Sequence, residues 1–266
     1  MDPALTALLC RTSDYGRGTA EGAGALAAAL GERWGVEPHR IGKVEDGRRA
    51  RWQDDLRDSG PCLAEAGRTL GADLDAGRTP VLCSGHCPPC MTTLPEVIRR
   101  HPECQILWID AHPDFNSPET TPSQFLGGMC LAAACGIWES GLGGGVPAAQ
   151  VIITDGRDID PGERELLDTH RVRVLPAGPA LDAIAEREVF VHLDLDVLDP
   201  DFLPGVEFPV PGGLDADALE SLLAGAVSRA RLVGIEVTDC PSPRLALGLS
   251  GVVARGLVSS LPGNVT

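Results

Sequence analysis

Trp108-Ile109-Asp110-Ala111-His112-Pro113-Asp114-Phe115-Asn116 decides how this chain is read. Gln105 to Ile109 is a short apolar run, the pattern of a buried strand. It breaks at once into Asp-Ala-His-Pro-Asp. Asp110, His112 and Asp114 thus stand two residues apart, just past the carboxyl end of a strand. Open parallel sheets bind ligands in that crevice. A second break of the same kind follows Glu188 to His192, where the chain reads Asp194-Leu195-Asp196. Alternate residues of an extended segment point to one side. Asp110, His112 and Asp114 therefore face one point, and so do Asp194 and Asp196. Taken alone, an Asp-x-Asp after a strand is as readily a solvated loop or a helix cap. Two such clusters, each ending a hydrophobic strand, carry more weight. Four carboxylates facing one another are costly to bury without a cation. The pattern implies a multivalent metal, and two ions rather than one.

Working outward, Leu5–Cys10, Thr79–Cys83, Gln150–Thr154, 171–175 and Arg231–Val237 read as further strands. Glu21–Trp34, 62–76, Pro89–Arg100, Gly128–Ile137, 161–169, 180–186, 215–230 and Leu245–Leu261 read as helices. The polar, Pro-rich loop 111–126 suits substrate binding. A second loop, 199–213, is rich in Pro and Gly. Strands alternating with helices predict an α/β fold, a three-layer α/β/α sandwich with a mainly parallel sheet covered on both faces. No repeat or interdomain linker interrupts the pattern. The 266 residues suit a single catalytic domain over 1–266.

The net charge is -16, which argues against nucleic acid as a partner. An acidic field draws in cations, although it serves solubility first. Lys43 is the only lysine, so arginine carries the rest of the positive charge. No signal peptide and no membrane-spanning apolar run is visible. Nine cysteines without an export signal predict a reducing, cytoplasmic setting. Cys10, Cys62, Cys104, Cys130, Cys135 and Cys240 sit among apolar residues or near strand ends and read as small core residues. Little chain follows Glu236 beyond one helix, which favours a monomer without an assembly arm.

Asp110-Ala-His-Pro-Asp114, Asp194-Leu-Asp196-Val-Leu-Asp-Pro and Gly234-Ile-Glu236-Val resemble the signatures of the arginase/agmatinase (ureohydrolase) superfamily. The resemblance spans nearly the whole chain. It implies hydrolysis of a guanidino or amidino group at a binuclear manganese centre, with two Mn2+ per chain. It makes Asp110 and Asp194 bridging ligands, Asp114 a ligand of one metal, and His112 and Asp196 ligands of the other. It also gives Asp114 the proton relay to the leaving amine. Glu236 matches the family carboxylate that holds the guanidinium-type group, though its neighbours Thr238-Asp239 depart from the family's Asn-Pro. Alone, Glu236 in a strand reads as a structural ion pair.

The remaining ligand position falls in Val81-Leu-Cys-Ser-Gly-His86-Cys87-Pro-Pro-Cys90, where the family has Gly-Gly-Asp-His. Aligned from the preceding strand, His86 takes the family histidine's place. Aligned backwards from Asp110 without a gap, Cys87 does. The helix between the two ligands fixes their distance, whereas a loop absorbs one residue easily. That favours Cys87, bound as thiolate beside a dication. Thiolate softness on a carboxylate-rich site keeps His86 as the alternative. Cys87-Pro-Pro-Cys90 also has the spacing of a redox motif or half a zinc site. No other half is evident, and a redox motif leaves the acidic clusters unexplained.

By the same resemblance, Asn116 and Ser123 fall on positions that read an α-carboxylate, and Asp160 on one that reads an α-amino group. Asp160 before Pro161 also suits a helix N-cap. These matches imply a small α-amino acid substrate. Two departures alter the pocket. The family's proton-shuttle histidine falls on Gly127, and Glu207-Phe208-Pro209 replaces the family's Gly-Thr-Pro. An N-hydroxyguanidine is a weaker base than a guanidine and needs the shuttle less. The resemblance implies Nω-hydroxy-L-arginine as the substrate, cleaved to hydroxyurea and L-ornithine in antibiotic (D-cycloserine) biosynthesis. Ordinary arginase activity is the alternative, and a non-catalytic metal-binding protein is the alternative of another class.

Overall fold

Strand β4 (Gln105–Asp110) sends alternate residues to opposite faces of a sheet. Ile106 and Trp108 enter one hydrophobic core, and Leu107 and Ile109 enter the other. The computed structural model describes residues 2–257. The other strands are β1 (Pro3–Leu8), β2 (His39–Ile41), β3 (Thr79–Cys83), β5 (Val151–Asp155), β6 (Arg173–Leu175), β7 (Glu188–Asp194) and β8 (Arg231–Thr238). They form one sheet in the order β2-β1-β3-β8-β7-β4-β5-β6, parallel at every pairing.

Helices α1 (Gly18–Trp34), α6 (Ala177–Ala183), α7 (Ala216–Arg229) and α8 (Pro243–Gly256) cover one face. Leu26, Leu30, Leu181, Leu223 and Val253 carry that core. Helices α2 (Trp52–Asp75), α3 (Cys90–Arg100), α4 (Cys130–Ala134) and α5 (Pro161–His170) cover the other through Leu63, Leu94, Leu131 and Leu167. The result is the three-layer α/β/α sandwich that the alternating pattern predicts. Between β3 and β4 the chain skips two places in the sheet, which β8 and β7 later fill. The carboxyl ends of β3, β8, β7 and β4 therefore lie side by side at the sheet's centre, a switch point of the kind that binds ligands.

Several sequence expectations need correction. Helix α2 starts at Trp52 and carries Pro61 inside it, whereas a proline normally argues for a break. Leu63, Ala66 and Leu70, buried on one face, hold the longer helix together. The segment 128–137 is not one helix but a 3₁₀ turn at Gly127–Met129 followed by the short α4. Strand β2 was not expected, because three residues, two of them exposed, leave no alternation to read. The closing helix expected over Leu245–Leu261 is Pro243–Gly256, and residues 258–261 lie outside the described residues. Cys10 and Cys62, expected as small core residues, form a disulfide between the residues after β1 and helix α2, with Cα atoms 6.7 Å apart. The other seven cysteines are free. Among the described residues no helix is long and apolar enough to cross a membrane.

Candidate metal centre

Asp110 and Asp194 end neighbouring strands and make the same turn. Asp110 Oδ1 accepts the His112 amide at 2.7 Å, and Asp194 Oδ1 accepts the Asp196 amide at 2.8 Å. Each carboxylate so folds the chain back that the second side chain of its motif returns over the sheet end. His112 Nδ1 then lies 2.8 Å from Asp196 Oδ2 and 3.6 Å from Asp110 Oδ1. Asp110 Oδ2 takes the Trp108 indole N–H at 2.9 Å, and Asp194 Oδ2 takes the Thr238 hydroxyl at 2.8 Å. Asp196 Oδ1 accepts the Ala111 amide at 3.1 Å, tying the two loops together.

Candidate ligand atoms gather into three overlapping groups, each within 4.8 Å: Cys87, Asp110, His192 and Asp194; Asp110, His112 and Asp196; and Asp194, Asp196 and Asp239. Asp110 is common to the group that holds Cys87 and the group that holds His112. Of the expected ligands, Asp114 alone stands outside these groups. It is buried in the same pocket with φ 51°, and its Oδ2 faces the Cys130 thiol at 3.6 Å.

At the end of β3 the geometry separates His86 from Cys87. Cys87 Sγ lies 2.9 Å from Asp194 Oδ2 and 3.4 Å from Thr238 Oγ1. His86 turns the other way, with Nε2 3.2 Å from Glu207 Oε2. It belongs to none of the three groups.

Glu236 is not where a substrate-holding carboxylate would be. It is fully buried below the pocket, and its oxygens meet Thr93 Oγ1 and His192 Nδ1, each at 2.8 Å. Asp239, three residues on, lines the pocket instead. The reason is register. Glu236 lies within β8 opposite His192, while Asp239 follows the strand end with φ 56°, its amide held by Gly85 O at 3.0 Å. Helix α1 presses on the next residue, where a Cβ at Gly22 would stand 1.9 Å from Cys240 O. Asp239 Oδ1 is buried with no hydrogen-bond partner. The signal was present in Thr238-Asp239, since a carboxylate just past a strand is what marked Asp110.

Charge explains why this floor calls for cations. Burial and mutual repulsion push the carboxyls of Asp110, Asp114 and Asp239 well above the usual range, and Asp194 upward. Burial would lower the imidazole of His112, but Asp110 and Asp196 outweigh it and push it up to about 12. Together with buried polar atoms left unpaired at His192 and Asp239, this oxygen-rich set fits hard or borderline dications.

Asn116, Ser123 and Asp160 line the same pocket on its outer side. Asn116 Nδ2 donates to Asp160 Oδ2 at 3.0 Å, and the Asp160 amide donates to Glu163 Oε2 at 3.3 Å. The pocket also has an aromatic wall. Phe125 meets Tyr15, His86 and Phe208 at ring separations of 5.4, 5.4 and 4.7 Å. Glu207 ties the wall down, accepting the Tyr15 amide at 3.1 Å and the Gly16 amide at 2.9 Å besides its contact with His86. Beside Gly127 the space is taken, for a Cβ there would stand 2.4 Å from Phe125 Cε1.

The model of the Arginase family matches residues 5–261. The chain belongs to the arginase family. This arginase-family chain is 36% identical over 238 residues to the N(omega)-hydroxy-L-arginine amidinohydrolase of Streptomyces lavendulae, covering 88% of this chain and 86% of that one. It is 32% identical over 197 residues to an arginase of Brevibacillus brevis, covering 66% and 64%. The arginase of Entamoeba histolytica, solved in complex with L-ornithine, has the same fold at a TM-score of 0.82 and 20% identity, covering 97% and 98%. Membership makes this protein a hydrolase of C–N bonds in amidino or guanidino groups.

Proposed function

We propose that this arginase-family protein is one catalytic domain that hydrolyses Nω-hydroxy-L-arginine to hydroxyurea and L-ornithine, with two manganese ions per chain. Cys87, Asp110, Asp114 and Asp194 would hold one ion, and Asp110, Asp194, Asp196 and His112 the other. The mainly carboxylate ligands favour manganese. When bound, the metals supply Lewis acidity and lower the pKa of water enough for attack at neutral pH. Asn116 and Ser123 hold the substrate's α-carboxylate, and Asp160 its α-amino group. Asp239, whose Oδ1 has no partner, accepts N–H groups of the hydroxyguanidine and fixes its plane. Asp114, whose Oδ2 faces the Cys130 thiol, relays the proton to the leaving amine. The seven free cysteines fit the cytoplasm as its compartment, and the Cys10–Cys62 disulfide weighs against it. A role in D-cycloserine biosynthesis follows from the resemblance alone.

The observation that carries the choice of substrate is the Phe125 ring against Gly127. Beside Gly127, where a shuttle imidazole would stand, the pocket has an apolar ring. A guanidinium stays cationic at neutral pH and its delocalised charge makes the carbon a poor electrophile. An N-hydroxyguanidine is a weaker base and enters largely uncharged. The S. lavendulae relative, which bears the hydroxyarginine name, supports the same reading.

Ornithine release with Nω-hydroxy-L-arginine and with L-arginine tests it. The expected result is a much larger kcat/KM for the hydroxylated compound. Equal values mean a plain arginase. Elemental analysis tests the ligand set: Cys87→Ala should lose one of two ions, and His86→Ala should keep both. The reverse result transfers the ligand role to His86.

A further inference from the structure

His192 stands in the middle of the molecule, on β7 between the hydrophobic core and the acidic pocket floor. It is 0% exposed. Its ring lies flat on Trp108, with centroids 3.4 Å apart and planes 2° from parallel. Its Nδ1 is 2.8 Å from Glu236 Oε1. The other oxygen of Glu236 receives the Thr93 hydroxyl at 2.8 Å. A carboxylate that accepts at both oxygens leaves Nδ1 as the donor, so the lone pair belongs to Nε2. That Nε2 is buried and has no hydrogen-bond partner. His192 also falls in the group formed with Cys87, Asp110 and Asp194.

A buried lone pair that faces a thiol and carboxylate oxygens is unfavourable unless a cation lies among them. A carboxylate that orients an imidazole by its far nitrogen is the usual support of a metal-binding histidine. We propose that His192 binds the metal on the Cys87 side through Nε2, with Glu236 as its positioning residue. This rests on the reading of the pocket as a metal centre. It gives the thiol-bearing ion a nitrogen ligand, as His112 gives the other. It also gives Glu236 a task that suits its burial below the pocket.

The test uses the full chain. Mn2+ titration of the metal-free protein reads affinity, and pulsed electron paramagnetic resonance of the loaded protein counts imidazole nitrogens on the ions. His192→Phe keeps a flat ring against Trp108 and removes the nitrogen. Glu236→Gln keeps the ring and disturbs its orientation. Both should weaken one of two Mn2+ by about 10–100-fold. The nitrogen signal should report both His112 and His192 in the wild type and His112 alone in His192→Phe. Unchanged affinity in both variants overturns the proposal. So does a wild-type signal from His112 alone, even with weakened affinity, because His192 would then act only from behind a ligand. The wild-type spectrum decides the matter if His192→Phe does not fold. A wild type that binds no Mn2+ would instead overturn the metal-centre reading itself.

Discussion

The floor of the pocket and its aromatic wall are built in opposite ways. Asp110, Asp194 and Asp196 sit at or just past a strand end, and their hydrogen bonds run to a residue two places away or to an adjoining segment. The sheet's register alone brings Asp110 and Asp194 together. The wall has no such frame. Glu207 reaches across 192 residues to Tyr15 and 121 residues to His86, and the rings of Tyr15, Phe125 and Phe208 close the gap. Backbone hydrogen bonds thus fix where chemistry happens, while side chains from separate loops fix what fits above it. A fold holds the first constant and can vary the second.

The largest expected effect separates the two regions. Asp110→Ala should lose bound metal and lower kcat/KM by roughly 10³-fold or more, a loss of several kcal/mol of charge stabilisation. Metal analysis beside kinetics checks it, and two retained ions would break the distinction. Glu207→Ala removes the ties of the wall. It should raise KM about 10–100-fold, in keeping with the loss of hydrogen bonds to a charged group, and leave metal content unchanged. Loss of metal here would mean that floor and wall are one unit.

The smallest effect is a slope with pH. Glu163 supports the loop between floor and wall, with Oε1 accepting the Phe115 amide at 2.7 Å. Burial pushes its carboxyl up to about 7 from the usual 4.5. The folded state then holds a proton that the unfolded state releases. This contribution to stability is full below about 4.5 and is lost as pH rises through 7. Urea unfolding from pH 5 to 8 should show it as at most about 1.4 kcal/mol per pH unit. Glu163→Gln should flatten that slope, and an unaltered slope would assign it to other groups.

The same contrast governs what could be read from the sequence. Gln105 to Ile109 and Val189 to Leu193 are apolar runs that end in acid, so β4, β7 and their carboxylates were legible from local pattern. The wall was not, because nothing local to Glu207 tells of Tyr15. Glu236 and Asp239 show an intermediate case. Both lie near the end of β8, and the difference between the core and the pocket is a matter of three residues. Likewise, nothing local to Cys10 or Cys62 signals that packing α2 beside β1 will pair them. The alternation of strand and helix, by contrast, repeats along the chain and was enough for the layered fold.

The central place of β8 bears on how the protein is made. It is the last strand of the sheet to leave the ribosome, yet it lies between β3 and β7. Until Thr238 has emerged, those two strands have nothing between them, and both present unpaired edges that invite pairing with another chain. Asp239 arrives only with that insertion. The nascent protein can therefore acquire much of its helical cover early, while its reactive centre closes in one late step over long sequence distances, of the slow kind.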